Sequence, residues 1–212
     1  MVDTIQDVDS LKNIFQQSVN EVNLLFLDLS SSCTGYSIIS LDFVHKKAKF
    51  KKSGVMWFGA DWENQEKYHY IFSAITNYFN IVDKIDFCIC EAYMLNPKKR
   101  MGSLVGPELH GAVQVALAEI GIKYMPMPVQ TWRKHLGVKK DSSGDYKKPT
   151  QIEVEKFISL PKEIKSNITG SMRTLPNDLA DSLGIAIGTL KKWGITNLDF
   201  SKIKFQENIN IL

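Results

Sequence analysis

The pattern of apolar and polar residues predicts three strands near the start of the chain. The apolar run from Val22 to Leu29 is typical of a buried strand, because central strands are short and rich in bulky and β-branched residues. A polar turn at 30–32 leads to a second strand over 34–41, and a third follows near 49–57. Two such short connections predict an antiparallel meander.

Helical periodicity then alternates with further strands. Helices are predicted near 4–19, 62–82, 102–120, 129–136, 150–158 and 176–193, and strands at 86–92 and 123–127. The order βββαβαβα predicts an α/β domain with a mixed five-stranded sheet, in which an antiparallel meander joins parallel strands and helices flank the sheet. We expect a helical extension over 1–21, one domain over 22–193 and a tail over 194–212.

Composition narrows the class of protein. The 212 residues are enough for one sizeable core, and no run of about 18 apolar residues predicts a membrane span. The first twenty residues carry three aspartates and lack the pattern of a secretory signal. Three cysteines do not fit a disulfide framework. These features indicate a reducing, cytoplasmic location.

Positive charge is concentrated in the middle of the chain. Between Lys98 and Lys148 there are ten Lys or Arg and four Asp or Glu, a local charge of +6, so the rest of this +3 chain carries −3. A basic segment within a nearly neutral protein indicates a polyanionic partner, although a solvated lysine face gives the same pattern.

Two acids lie where the pattern predicts buried strands. Asp28 interrupts an apolar run, and Glu91 ends the strand after Phe87-Cys88-Ile89-Cys90. A buried lone carboxylate costs several kcal/mol unless it is paired, protonated or bound to a cation. Capping of the 30–32 turn would also explain Asp28, and a solvated strand end would explain Glu91.

Two more acids begin the last predicted helix. Asp178 and Asp181 are three residues apart, so both project from one side of its first turn. Acids in a first turn also favour the helix dipole and cap the helix, which is a purely structural explanation. If all four acids converge, they would repel one another unless divalent cations neutralise them, and oxygen ligands suit Mg²⁺ or Mn²⁺. Two such ions can promote phosphodiester hydrolysis.

Three motifs, in order, resemble those of the RuvC Holliday-junction resolvases. Leu27-Asp28-Leu29-Ser30 followed by Cys33-Thr34-Gly35-Tyr36 is similar to the family's first motif. Cys90-Glu91-Ala92-Tyr93 is similar to its second, and Asp178-Leu179-Ala180-Asp181-Ser182-Leu183 to its closing helix. The segment 106–120 resembles the family's dimer helix in position and length. The similarity covers about 23–193, and the differences resemble phage-encoded members more than the cellular enzyme.

This resemblance implies a ribonuclease-H-like fold and a homodimeric, magnesium-dependent endonuclease. Such an enzyme makes paired symmetric nicks across a four-way DNA junction. The implied catalytic and metal-binding residues are Asp28, Glu91, Asp178 and Asp181, holding two Mg²⁺ ions for which Mn²⁺ can substitute. A bacterial or phage-infected cell is the implied setting.

The basic segment and the resemblance together give a set of candidate DNA-binding residues. They are Tyr93, Met94, Lys98, Lys99, Arg100, Arg133, Lys134 and Lys148. Where the family has a phenylalanine three residues beyond its glutamate, this chain has Met94 with Tyr93 beside it, so either residue could contact a base. The alternatives are a flap or general branched-DNA nuclease, a non-catalytic DNA-binding protein, and half of an actin-like sugar-kinase domain.

Overall fold

A mixed β-sheet forms the centre of the molecule in this computed structural model, which describes residues 5–15, 19–93, 105–166, 168–174, 177–206 and 209. The strands are β1 (Glu21–Leu29), β2 (Cys33–Asp42), β3 (Lys47–Trp57), β4 (Phe87–Glu91), β5 (Lys123–Met127), β6 (Glu163–Lys165), β7 (Met172–Thr174), β8 (Asn197–Asp199) and β9 (Lys204–Gln206). The helices are α1 (Val8–Ile14), α2 (Asn64–Ser73), α3 (Val105–Glu119), α4 (Val129–Leu136), α5 (Lys147–Glu155) and α6 (Asn177–Lys192).

The predicted fold class is confirmed. The main sheet has the order β5-β4-β1-β2-β3-β8, and β9 also pairs with β3. Strands β1, β2 and β3 form the antiparallel meander, whereas β4 runs parallel to β1 and β5 parallel to β4. The five predicted strands are therefore the first five of the sheet, and β8 and β9 extend its β3 edge.

Some elements differ from the sequence-based expectation. The helix expected over 62–82 consists of α2 followed by a π-helical continuation, Ala74–Val82. The hairpin formed by β6 and β7 and the tail strands β8 and β9 were not expected. Each of these strands has three residues, which is too short for an alternating pattern to be recognised.

Each face of the sheet has its own apolar layer. Alternate residues of β1 point to opposite faces, as the strand period requires, so Phe26 packs with α6 and Leu25 packs with α2 and α3. The α6 layer also contains buried side chains of α1, α4 and α5. Because α6 lies between the sheet and these helices, almost every residue from Leu179 to Leu190 is buried.

Helix α6 is attached to the sheet by polar contacts and to α4 by close backbone packing. The buried Ser37 hydroxyl lies 3.1 Å from that of Ser182 and 2.9 Å from that of Ser53, which joins α6 to β2 and β3. A Cβ atom at Gly188 would lie 2.3 Å from the backbone oxygen of Trp132. Only glycine at position 188 therefore allows α4 to pack this closely against α6.

The segments that flank the domain also contact it. The backbone oxygen of Ile5 accepts hydrogen bonds from Lys192 Nζ at 2.9 Å and from Trp193 Nε1 at 3.4 Å. The start of the chain is thereby attached to the end of α6. None of the helices in the described residues is sufficiently long and apolar to span a membrane.

Two glycine substitutions test the contact between α4 and α6. Gly188→Ala should lower the free energy of unfolding by about 1–3 kcal/mol, because the new methyl group overpacks a closed interface. Gly111→Ala is the matched control, since this helical glycine has nothing within 4 Å of an added Cβ. Alanine there should be neutral or stabilise by up to about 1 kcal/mol. Urea unfolding measures the free energy of unfolding of both variants, and an equal change in the two would contradict the close packing of α4 on α6.

Candidate active site

Asp28 and Glu91 lie side by side at the carboxyl end of two parallel strands. Leu27 of β1 pairs with Cys90 of β4, and each acid is the next residue in its strand. Because side chains at matching positions of parallel strands point to the same face, both carboxylates share the face covered by α6. The sheet register therefore fixes the first half of the site.

The start of α6 brings two further acids to this edge. Asp28 pairs with Gly35 of β2, and a Cβ atom at Gly35 would lie 1.9 Å from the backbone oxygen of Asp178. The first turn of α6 therefore rests directly on the strand next to Asp28. Asp181, one turn further along α6, is partly buried beside the same acids.

Two neighbouring side chains hold individual acids in place. The indole Nε1 of buried Trp132 donates a hydrogen bond to Glu91 Oε2 at 3.0 Å. The thiol of Cys33 donates to Asp178 Oδ2 at 3.3 Å. Burial, followed by the negative charge of Asp178, raises the pKa of this thiol, so Cys33 remains protonated and can act as the donor.

The acids act on one another electrostatically. Burial raises the pKa of Asp28 well above its usual value, and the charges of Glu91, Asp181 and Asp178 raise it further. Burial also raises the pKa of Glu91, although the Trp132 hydrogen bond opposes this. Burial and the charge of Glu91 raise the pKa of Asp181 to about 7. The carboxylates of Asp28, Glu91 and Asp181 are therefore desolvated next to Asp178, and ionisation of all three is unfavourable without added positive charge.

Arg133 supplies positive charge to the acids. Its guanidinium group lowers the pKa values of Asp28, Glu91 and Asp181. The guanidinium carbon lies 4.9 Å from the centre of the Trp132 ring and 4.5 Å from that of Tyr146. These cation–π contacts hold the guanidinium beside the acids.

The other predicted DNA-binding residues have different surroundings. Tyr93 is 43% exposed, and its ring packs edge-on against His110 at a centroid distance of 5.8 Å. Lys134 is exposed on α4 and Lys148 is exposed in the first turn of α5. The remaining members of the predicted set, Met94, Lys98, Lys99 and Arg100, lie outside the described residues.

Several residues of the site were not predicted from the sequence. Trp132 had no role assigned, because a lone tryptophan in a basic helix gives no signal of what its indole contacts. Cys33 and Gly35 were noted only as parts of a motif. Lys147, whose charge lowers the pKa of Asp181, was overlooked in favour of the adjacent Lys148.

The chemistry of the acid cluster fits a divalent cation. All four side chains offer carboxylate oxygens, and Asp181 Oδ1 is buried with no hydrogen-bond partner among the described residues. No three His, Cys, Asp or Glu side chains within the described ranges are already arranged as a complete metal site. Coordination of a metal ion would therefore require these side chains to rotate toward one another.

The raised pKa of Asp181 predicts how stability depends on pH in the metal-free protein. Asp181 ionises near 3.8 when unfolded but near 7 when folded, so between these values the folded state binds more protons and this residue's contribution falls as pH rises. Burial lowers the pKa of His110, which gives the opposite trend. The informative quantity is therefore the difference between wild type and Asp181→Asn.

We expect Asp181→Asn to raise the Tm at pH 8 in EDTA and to have little effect at pH 4. Each kcal/mol corresponds to about 2–4 °C for a domain of this size. Asp42→Asn is the control, because hydrogen bonds from His45 hold the pKa of this exposed carboxyl below its usual value. Calorimetric Tm values between pH 4 and 8 test the expectation. Parallel curves for wild type and Asp181→Asn would contradict it.

Comparison with known proteins identifies the fold. No protein-family model and no curated protein matches this chain. It is similar to the solved structure of Thermus thermophilus RuvC in complex with a Holliday junction substrate, with a TM-score of 0.58, 15% identity, and coverage of 83% of this chain and 97% of that one.

Two further resolvase structures are similar over most of their length. The yeast mitochondrial Holliday junction resolvase Ydc2 has a TM-score of 0.54 and 12% identity, with 88% of this chain and 85% of that chain covered. The fowlpox virus resolvase, solved with Holliday junction DNA, has a TM-score of 0.52 and 14% identity, with 80% and 97% covered. The chain therefore has the ribonuclease-H-like fold of the RuvC-type resolvases.

Proposed function

We propose that this protein is a metal-dependent endonuclease that resolves four-way DNA junctions. The observation that carries the proposal is the position of the four carboxylates. Asp28 and Glu91 end parallel strands, and Asp178 and Asp181 lie over them on α6, where only Gly35 permits so close an approach. The fold shared with junction resolvases supports this assignment.

The four acids are proposed to hold two Mg²⁺ ions, for which Mn²⁺ can substitute. Bound ions of this kind activate a water molecule and stabilise the leaving oxygen of a phosphodiester. Asp28 and Glu91 would supply ligands from the rigid sheet, and Asp178 and Asp181 would supply them from α6. The raised pKa values of Asp28, Glu91 and Asp181 support this role, because a bound cation relieves the repulsion that disfavours ionisation of these three carboxyl groups.

Neighbouring side chains would orient these ligands and the substrate. The Trp132 indole holds Oε2 of Glu91, and the Cys33 thiol holds Oδ2 of Asp178. Partners of this kind typically change metal affinity or activity by about 10–100-fold when removed. Arg133 would attract the phosphate group toward the acids, because its charge is held beside them.

A homodimer is the proposed form of the enzyme. Two identical sites related by a two-fold axis match the two like strands that must be cut in a four-way junction. Helix α3 exposes the apolar side chain of Val115 to solvent, where a second copy could cover it. Tyr93 and the basic segment would contact the DNA beside the cut.

A junction-cleavage assay tests the proposal. Wild type should cut a synthetic four-way junction in Mg²⁺, with both nicks made in one encounter, and should be inactive in EDTA. Asp28→Asn and Glu91→Gln should each lower the cleavage rate by more than about a hundredfold, since they remove ligands rather than the supporting partners. Junction binding, measured by fluorescence anisotropy, should persist in both variants.

The matched control is Asp42→Asn, which removes a partly exposed acid outside the cluster and should retain full activity. Faster cutting of flaps than of junctions would instead indicate a general branched-DNA nuclease. Binding without cleavage in any divalent metal would indicate a non-catalytic DNA-binding protein. Full activity in Asp28→Asn would contradict the site itself.

A further inference from the structure

A basic cleft of about 610 Å³ lies beside the acid cluster, between α4 and the loop that leads to α5. Four of the residues that line it are cations, Arg133, Lys134, Lys139 and Lys140, and none is an Asp or Glu. Typical ligand-binding clefts have volumes of about 300–1,000 Å³. The cleft therefore has the size and charge of a site for an anionic group.

An aromatic ring holds two of these cations in the cleft. The Lys140 Nζ lies 5.4 Å and the Arg133 guanidinium carbon 4.5 Å from the centre of the Tyr146 ring. Two cations at one ring repel each other, and the ring offsets only part of that cost. The acid cluster offsets this repulsion for Arg133, whereas no salt bridge within the described residues does so for Lys140, and a bound anion would.

Neighbouring acids do not neutralise the cleft. Asp141 Oδ1 accepts hydrogen bonds from Ser143 and from the backbone of Asp145, and Asp145 Oδ1 accepts from the backbone of Tyr146. These carboxylates therefore shape the loop. Within the described residues, no salt bridge involves Lys134, Lys139 or Lys140.

The dipole of α4 explains only two of the four cations that line the cleft. Arg133 and Lys134 lie in the last turn of α4, where cations stabilise the helix dipole. Lys139 and Lys140 follow the C-cap residue Gly137, so the dipole does not explain them. Both lysines line the cleft, where they can contact an anionic ligand.

We propose that this cleft binds the phosphate groups of a DNA strand next to the nucleotide that is cut. Arg133 connects the two places, because it lines the cleft and its guanidinium carbon lies 4.9 Å from the centre of the Trp132 ring, whose Nε1 donates a hydrogen bond to Glu91. A strand whose reacting phosphate lies at the acids would continue over Arg133 toward Lys139 and Lys140. This inference rests on the proposed function and assigns residues outside the predicted DNA-binding set.

Salt-dependent junction binding tests the cleft. The full-length protein is titrated against a labelled four-way junction in EDTA over a KCl series, so that binding is measured without cleavage. Each lost phosphate contact should reduce the slope of log K against log salt by about 0.9, so Lys139→Ala/Lys140→Ala should reduce it by roughly 1.8. The charge-retaining Lys139→Arg/Lys140→Arg variant should keep the wild-type slope.

The matched control is Lys49→Ala/Lys204→Ala, which removes two exposed lysines of β3 and β9 and the same net charge. An unchanged slope in Lys139→Ala/Lys140→Ala, or an equal reduction in the control, would overturn the cleft assignment. The proposed function would still stand if wild type cleaves junctions in Mg²⁺. A wild type that neither binds nor cleaves junctions would instead remove the proposed function, and the cleft's ligand with it.

Calorimetry with inorganic phosphate tests whether the ligand of the cleft is a DNA strand or a free anion. We expect at most weak phosphate binding, because a single ion replaces only part of a strand. Tight phosphate binding that is lost in Lys139→Ala/Lys140→Ala, together with an unchanged salt slope, would assign the cleft to free phosphate and overturn the proposal.

Discussion

The close approach of α6 to β2 at Gly35 is the contact on which the candidate site depends. Asp28 and Glu91 are fixed by strand register, but Asp178 and Asp181 reach them only because the helix backbone lies against a residue without a side chain. The hydroxyl groups of Ser37 and Ser182 join the same two elements below the acids. The strand register and the position of α6 therefore fix the backbone of the four acids, and the repulsion between their carboxylates follows from the fold.

This cluster explains why positive charge surrounds it. Ionised carboxylates in a partly desolvated site need cations, and the chain provides Arg133 and Lys147. Arg133 is held by two aromatic rings, so it stays close to the acids and at the same time lines the basic cleft. Electrostatics thus connects the proposed hydrolytic centre with the proposed path of the DNA.

Sequence patterns predicted the elements whose apolar residues recur at a regular spacing or form an uninterrupted run. The meander, the parallel strands and α6 were all expected, because each has enough residues to show a period or a buried run. Asp28 stood out because a carboxylate within an apolar run is costly. Side-chain contacts between distant segments were not predictable in this way. The indole of Trp132 meets Glu91 across 41 positions, and Cys33 meets Asp178 across 145.

Binding of Mn²⁺ followed by calorimetry tests the central claim, that the four carboxylates act together as one metal site. At pH 6.5 Asp181, whose pKa is about 7, is still partly protonated, so Mn²⁺ binding should release protons, detected as a dependence of the heat on buffer ionisation enthalpy. The account predicts saturable binding with proton release in wild type and loss of both in Asp28→Asn. Equal heats in the two proteins, or binding without proton release, would contradict it.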